Sequence, residues 1–147
     1  MVNLDEVEIL LIEDNPHEAE LAIRNLKKDH LANNLLHLGD GEEALDFIFS
    51  RGKYSHNVGI MKPKLILLDL KLPKISGHQV LKVIRAHEEL KNTPVVVLTS
   101  SQEEADILES YKLGVNSYIV KPINFESFSR SIRDIGMYWV MINKMPY

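Results

Sequence analysis

The segment Leu65-Ile66-Leu67-Leu68 constrains the fold more than any other stretch of the chain. It is a run of aliphatic residues with no polar alternation, and such a strand needs cover on both faces. Val7 to Ile12 and Val95 to Leu98 read the same way, with weaker runs at Leu35 to Leu38 and Tyr118 to Val120. Helical patterns fill the intervals, and short strands alternating with helices are the mark of a parallel sheet with right-handed crossovers.

The helices carry their own start signals. Asn15-Pro16 with Glu18 supplies a cap, a first-turn proline and an acid, after which Ala19, Ala22, Ile23 and Leu26 mark a buried stripe. Asp40 with Glu43, and Ser101 with Glu104, predict capped starts for the second and fourth helices. Gly77 stands near the start of the third, which buries Val80, Val83 and Ile84. Gly114 is expected to end the fourth, and Asn124 to cap the fifth. The result is one α/β domain over residues 1–147, doubly wound, with helices on both faces of a five-stranded parallel sheet. Both common strand orders of that class place ligands at the carboxyl ends of the strands.

Bulk properties exclude several function classes. The chain has no cysteine, so disulfides, thiolate chemistry and Cys-based metal sites are ruled out. The net charge is -4 with Lys and Arg scattered, which argues against a nucleic-acid surface. The N-terminal stretch MVNLDEVEILLIED has acids where a secretion leader needs bases, and no apolar run approaches ~18 residues. No membrane association and a cytoplasmic location are expected.

The polar residues just past the apolar runs then read as a set. Glu13 and Asp14 follow the first, Asp69 the third, Thr99 and Ser100 the fourth, and Lys121 the fifth. Any one of these alone is an ordinary wet strand end. In a parallel sheet they share one edge, so three carboxylates, a hydroxyl and an ammonium converge. One lysine does not balance three acids, and an oxygen-rich, cysteine-free site suits Mg²⁺ or Mn²⁺. With that cation and Lys121 alongside, Asp69 can attack phosphorus as a carboxylate nucleophile.

The stretches ILLIEDNP, LILLDLKLPKISG, VVVLTS and YIVKP resemble the response-regulator receiver domain of two-component signalling, of the chemotaxis-regulator type. The likeness covers essentially the whole chain, and the spacing agrees: Thr99 lies thirty residues after Asp69, and Lys121 twenty-two after Thr99. It implies a flavodoxin-like sheet of order 2-1-3-4-5. It also implies that a sensor histidine kinase phosphorylates Asp69, with Glu13, Asp14, Asp69 and the backbone carbonyl of Lys71 as metal ligands. Thr99 and Tyr118 would be the switch pair, Lys121 the phosphate-pairing lysine, and Lys121-Pro122 a cis peptide. Such a protein is a phosphoacceptor rather than an enzyme, although it catalyses its own phosphotransfer and dephosphorylation. The readout surface would be the fourth helix, fifth strand and fifth helix.

Three features depart from the minimal pattern. Glu13 replaces the first Asp of the acidic pair, and Lys71 puts a positive side chain two residues past the acceptor. Residues 49–64, FSRGKYSHNVGIMKPK, form an insertion that reads as a mobile surface loop, with a partner-contacting loop as the alternative. The C-terminal helix carries Phe128, Ile132, Ile135, Trp139 and Ile142 at spacings of 4, 3, 4 and 3, a stripe that can serve as core or seam. Met137, Tyr138, Val140 and Met141 make the other faces apolar, more than one small sheet covers. A homodimer through this end is therefore expected. The loop and the Trp-bearing extension also resemble the regulators paired with bacterial and cyanobacterial phytochromes.

Rival readings fail on particular residues. An FMN carrier of the same fold needs a phosphate-cradling loop after the first strand, and Glu13-Asp14-Asn15-Pro16 offers anions and a residue without N–H. A haloacid-dehalogenase-type phosphatase needs a second Asp where this chain has Lys71. A receiver that only docks proteins, without phosphorylation, has no need of the full acid, hydroxyl and lysine set. The six histidines show no zinc spacing. With no output domain in the sequence, output is expected to be binding to a target or relay partner.

Overall fold

The alternation of side chains along each strand divides the core in two. In the computed structural model, residues 4–121 and 125–146 are described, without the side chains of residues 5, 125 and 128. Strands β1 (Ile9–Ile12), β2 (Leu35–Leu38), β3 (Leu65–Leu68), β4 (Val95–Thr99) and β5 (Ser117–Val120) form a parallel sheet of order β2-β1-β3-β4-β5. Helices α1 (Pro16–Lys28), α2 (Gly41–Ile48), α3 (Gly77–Ala86), α4 (Glu104–Lys112) and α5 (Phe125–Gly136) connect and follow them. Both the doubly wound class and the implied 2-1-3-4-5 order hold.

Ile9, Leu11, Leu65, Leu67, Val96 and Leu98 pack with Ala19, Ala22 and Leu26 of α1 and Ile132 of α5. Residues of the other parity, Leu10, Ile12, Ile66, Leu68, Val95 and Val97, meet α2 and α3 through Leu45, Ile48, Val80, Leu81 and Ile84. Each fully buried aliphatic side chain contributes about 1.5–3 kcal/mol. The continuous apolar runs are thus explained, since neither face of β1, β3 or β4 is wet.

The caps of α1 and α2 form as expected. Asn15 Oδ1 accepts from the N–H groups of His17 and Glu18 at 3.0 and 3.2 Å, and Asp40 accepts from that of Glu43 at 2.6 Å. The fourth helix differs. It starts after Glu103, which makes no side-chain cap, while Ser101 donates to Asp106 Oδ2 at 2.6 Å instead of capping. A reciprocal capping box appears at α3, between Ser76 and Gln79. It holds the helix start directly beneath the turn after β3. There a Cβ on Gly77 would collide with the Asp69 carbonyl oxygen and the Leu70 Cα, so glycine is required by space. Gly114 ends α4 with a φ of +90°. The Asn124 cap and the Lys121-Pro122 bond lie outside the described residues.

Residues 49–64 are anchored at two points, with a largely exposed stretch between them. A 3-10 turn at Gly52–Tyr54 buries the Tyr54 ring edge-on against Phe47, with centroids 5.4 Å apart. The Tyr54 hydroxyl donates to Glu43 Oε2 at 2.8 Å, and the Met61 N–H donates to the Ile48 carbonyl at 2.8 Å. Val58, near the tip, is exposed.

The C-terminal stripe also differs from its spacing. After Gly136 the helix widens into a π-helical turn, Met137–Ile142, and the Asn143 N–H donates to the Tyr138 carbonyl five residues back. Wider winding brings Val140, not Ile142, round to the α1 face beside Ile132. Gly136 lies where an added Cβ would stand 2.6 Å from Leu26 Cδ2, so the helix crosses α1 in close contact at that point.

Candidate functional site

Ladder hydrogen bonds carry the strand register one residue past each strand. The Glu13 N–H donates to Leu38, the Asp69 N–H to Ile12 and the Lys121 N–H to Thr99, at 3.0, 3.0 and 2.7 Å. These bonds hold Glu13, Asp69 and Lys121 on one edge. Parity then aims them. Glu13 continues the set of Ile9 and Leu11, Asp69 that of Leu65 and Leu67, and Lys121 that of Ile119, all on the α1–α5 side of the sheet.

The side chains meet there. Lys121 Nζ donates to Glu13 Oε1 at 2.6 Å, to Glu18 Oε2 at 2.5 Å and to Asp69 Oδ2 at 3.1 Å. Asp69 Oδ1 accepts from the Leu70 N–H at 2.7 Å. Glu13 and Asp69 are buried, whereas Asp14 is exposed. Carboxylate oxygens of Glu13, Asp14 and Asp69 lie within 4.8 Å of one another.

The electrostatics follow from that crowding. Burial pushes the Glu13 carboxyl up to about 7, the hydrogen bond from Lys121 opposes the rise and the Asp69 charge adds to it. For Lys121, burial favours the neutral form, but hydrogen bonds to Glu13 and Glu18 and the charge of Asp69 outweigh it. Its ammonium is held above the ordinary lysine range. Three carboxylates therefore share one ammonium, with Asp14 adding a fourth negative charge beside them. An all-oxygen donor set with surplus negative charge fits a hard divalent cation, with Glu13, Asp14 and Asp69 as its carboxylate ligands.

Thr99 and Tyr118 lie on the other face. Thr99 continues the parity of Val95 and Val97, is fully buried, and its Oγ1 accepts from the Ser101 N–H at 3.4 Å. The Tyr118 hydroxyl donates to the Ser101 carbonyl at 3.0 Å. Lys71 is exposed in the turn after Asp69. At the far end of the molecule, Ile132 is buried, Ile135 and Trp139 are partly buried against the α1 core, and Ile142 is exposed. The Phe128 side chain lies outside the described residues.

Glu18 is the site residue that strand-end reasoning overlooked, because it comes from a helix. Its place as the acid in the first turn of α1, just past the acidic pair, was the available signal.

A family model described as "Response regulator receiver domain" matches residues 9–133. The chain belongs to the response regulator receiver family. It is thus a protein of two-component signalling. This receiver is 39% identical over 94% of its length to the probable methanogenesis regulatory protein FilR2 of Methanothrix harundinacea, covering 86% of that relative. It is 38% identical over the same share to response regulator Rcp1 of Synechocystis sp., covering 92% of it. The Mn²⁺-bound crystal structure of Rcp1 superposes with a TM-score of 0.85 at 37% identity, over 95% of this receiver and 98% of that chain. The phosphorylated cyanobacterial phytochrome response regulator RcpA gives 0.86 at 35%, over 97% and 99%. No helix among the described residues is long and apolar enough to cross a membrane.

Proposed function

We propose that this receiver accepts a phosphoryl group on Asp69 from the phosphohistidine of a sensor histidine kinase, in a reaction dependent on Mg²⁺ or Mn²⁺. The single observation that carries this reading is the bonding of Lys121 to Asp69 and Glu13 from 52 and 108 residues away. Asp69 Oδ2, facing the ammonium, forms a bond to phosphorus. The donor's P–N bond breaks, and its electron pair stays on the imidazole nitrogen. Hydrolysis reverses the modification: a water oxygen bonds phosphorus, the aspartyl P–O bond breaks, and carboxylate and inorganic phosphate are released. The cation, when bound, supplies positive charge opposite the transferring oxygens. Glu13, Asp14, Asp69 and the Lys71 carbonyl are its protein ligands in this reading.

The phosphoryl group then draws the Thr99 hydroxyl toward it, and Tyr118 repacks in the space released. The likeness to the phytochrome response regulator RcpA supports a phytochrome-type kinase as the cytoplasmic donor. A homodimer formed through the α4–β5–α5 face and the C-terminal turn would cover Met137, Tyr138, Met141 and Ile142, all exposed in the isolated chain. Light scattering after size exclusion tests this. A dimer is expected, and a monomer at every concentration would remove it.

Acetyl phosphate with Mg²⁺ tests the chemistry. The wild type should gain one phosphate by intact mass and shift on a phosphate-affinity gel, while Asp69→Asn should show neither change. Equal labelling of both would move the acceptor elsewhere.

A further inference from the structure

We propose that Glu18 is a positioning residue that competes with the incoming phosphoryl group for the Lys121 ammonium, and thereby sets how readily Asp69 is phosphorylated. The proposal rests on Asp69 being the acceptor. An ammonium has three donors, and Lys121 uses them on Glu18, Glu13 and Asp69 at 2.5, 2.6 and 3.1 Å. The two shorter contacts go to carboxylates other than the acceptor. A phosphoryl group on Asp69 adds strong acceptor oxygens beside a lysine whose donors are already engaged. Lys121 can serve those oxygens only by releasing a present partner.

Burial decides which partner is released. The Glu13 side chain is 4% exposed, so its carboxylate has little water to return to. The Glu18 side chain is 38% exposed and rehydrates when released. Glu18 also stands outside the trio of Glu13, Asp14 and Asp69 whose oxygens lie within 4.8 Å of one another. Its backbone is fixed independently, because its N–H donates to the Asn15 cap. The Glu18 side chain can therefore swing away without disturbing the start of α1. Ion-pair exchange, from the Glu18 carboxylate to the phosphoryl oxygens, becomes part of each phosphorylation event. A neutral amide at this position holds the lysine less firmly and lowers that barrier.

The test compares wild type, Glu18→Gln, Lys121→Gln, the double variant and Asp69→Asn at saturating Mg²⁺. Initial phosphorylation by acetyl phosphate is read on phosphate-affinity gels, and beryllofluoride affinity by the ¹⁹F signal of the bound ion. Glu18→Gln should be phosphorylated about three- to tenfold faster and bind beryllofluoride tighter by a similar factor, the size expected of coupled neighbours. In the Lys121→Gln background the same change should have no effect on either readout. An unchanged or slower Glu18→Gln, or an equal gain without the lysine, overturns the proposal. If Glu18→Gln matches wild type while Asp69→Asn stays unlabelled, only the Glu18 role falls. If Asp69→Asn is labelled, the acceptor reading falls and takes this proposal with it.

Discussion

Two neighbourhoods lie back to back at the carboxyl edge of the sheet, one on each face. On the α1–α5 side, Glu13, Glu18, Asp69 and Lys121 are ionisable groups joined by contacts of 2.5–3.1 Å. On the other side, Thr99, Ser101 and Tyr118 are hydroxyl residues, and Ser101 donates to the carboxylate of Asp106. Charge-assisted bonds are about twice as strong as neutral ones. The first neighbourhood is therefore suited to holding charge in place, and the second to rearranging at low energy. The Thr99 contact at 3.4 Å is already at the loose end of hydrogen-bond geometry. Strand parity alone separates the two neighbourhoods, because alternate residues at the same edge face opposite layers.

The largest expected effect comes from removing the cation of the charged face. Lys121→Ala leaves Glu13, Glu18 and Asp69 opposed without their ammonium, and breaking a buried pair in this way costs about 3 kcal/mol. Metal-free urea unfolding at pH 8 should show that loss, and millimolar Mg²⁺ should restore part of it. The pH dependence has a definite sign. Glu13 is raised from 4.5 to about 7 in the folded state. Its proton therefore stabilises the fold fully below pH 4.5, and that contribution is lost as pH rises through 7. The Lys121→Ala deficit should shrink between pH 8 and pH 5.5. A variant as stable as wild type at pH 8 would erase the contrast between the faces.

A smaller and opposite pattern is expected from Thr99→Val. The hydroxyl makes one long bond in a buried apolar setting, so stability should change by less than about 1 kcal/mol. Phosphorylation should persist, while the beryllofluoride-induced change in the Tyr118 ring and hydroxyl signals by NMR should vanish. If Thr99→Val instead lost as much stability as Lys121→Ala, the hydroxyl face would not be the soft one. Survival of the Tyr118 response would detach Thr99 from the readout.

The charged edge was legible because register and parity are properties of sequence once a parallel sheet is accepted. Ile12, Leu68 and Val120 end strands in chain order, and the next residues follow. What escaped notice depends on angles that residue spacing does not encode. Glu18 reaches Lys121 only because α1 packs on the face toward which Asp69 points. The 4, 3, 4, 3 spacing implied an α-helix to Ile142, whereas close packing of Gly136 on Leu26 is followed by the π-helical turn that buries Val140. The 49–64 segment read as loose because its polar composition hides one anchor, Tyr54, whose partners Phe47 and Glu43 lie in the preceding helix.

That anchor supplies the weakest test and a control for both faces. Glu43 is held below the ordinary carboxylate range, chiefly by its hydrogen bond with Lys53 and also by the Tyr54 hydroxyl, against the opposing effect of burial. Its contribution to stability is therefore present above pH 4.5 and lost as pH falls through its lowered folded value. Tyr54→Phe keeps the ring contact with Phe47 and removes only the hydroxyl, at a cost of about 1 kcal/mol or less at pH 7. The difference from wild type should narrow on acidification, as pH falls through the lowered folded value of Glu43 and the carboxylate is neutralised. Mg²⁺ affinity and the phosphorylation rate should not move, since the loop anchor shares no partner with Lys121 or Thr99. A change in either would show that the insertion communicates with the charged edge, and the two-face division would then need a third participant.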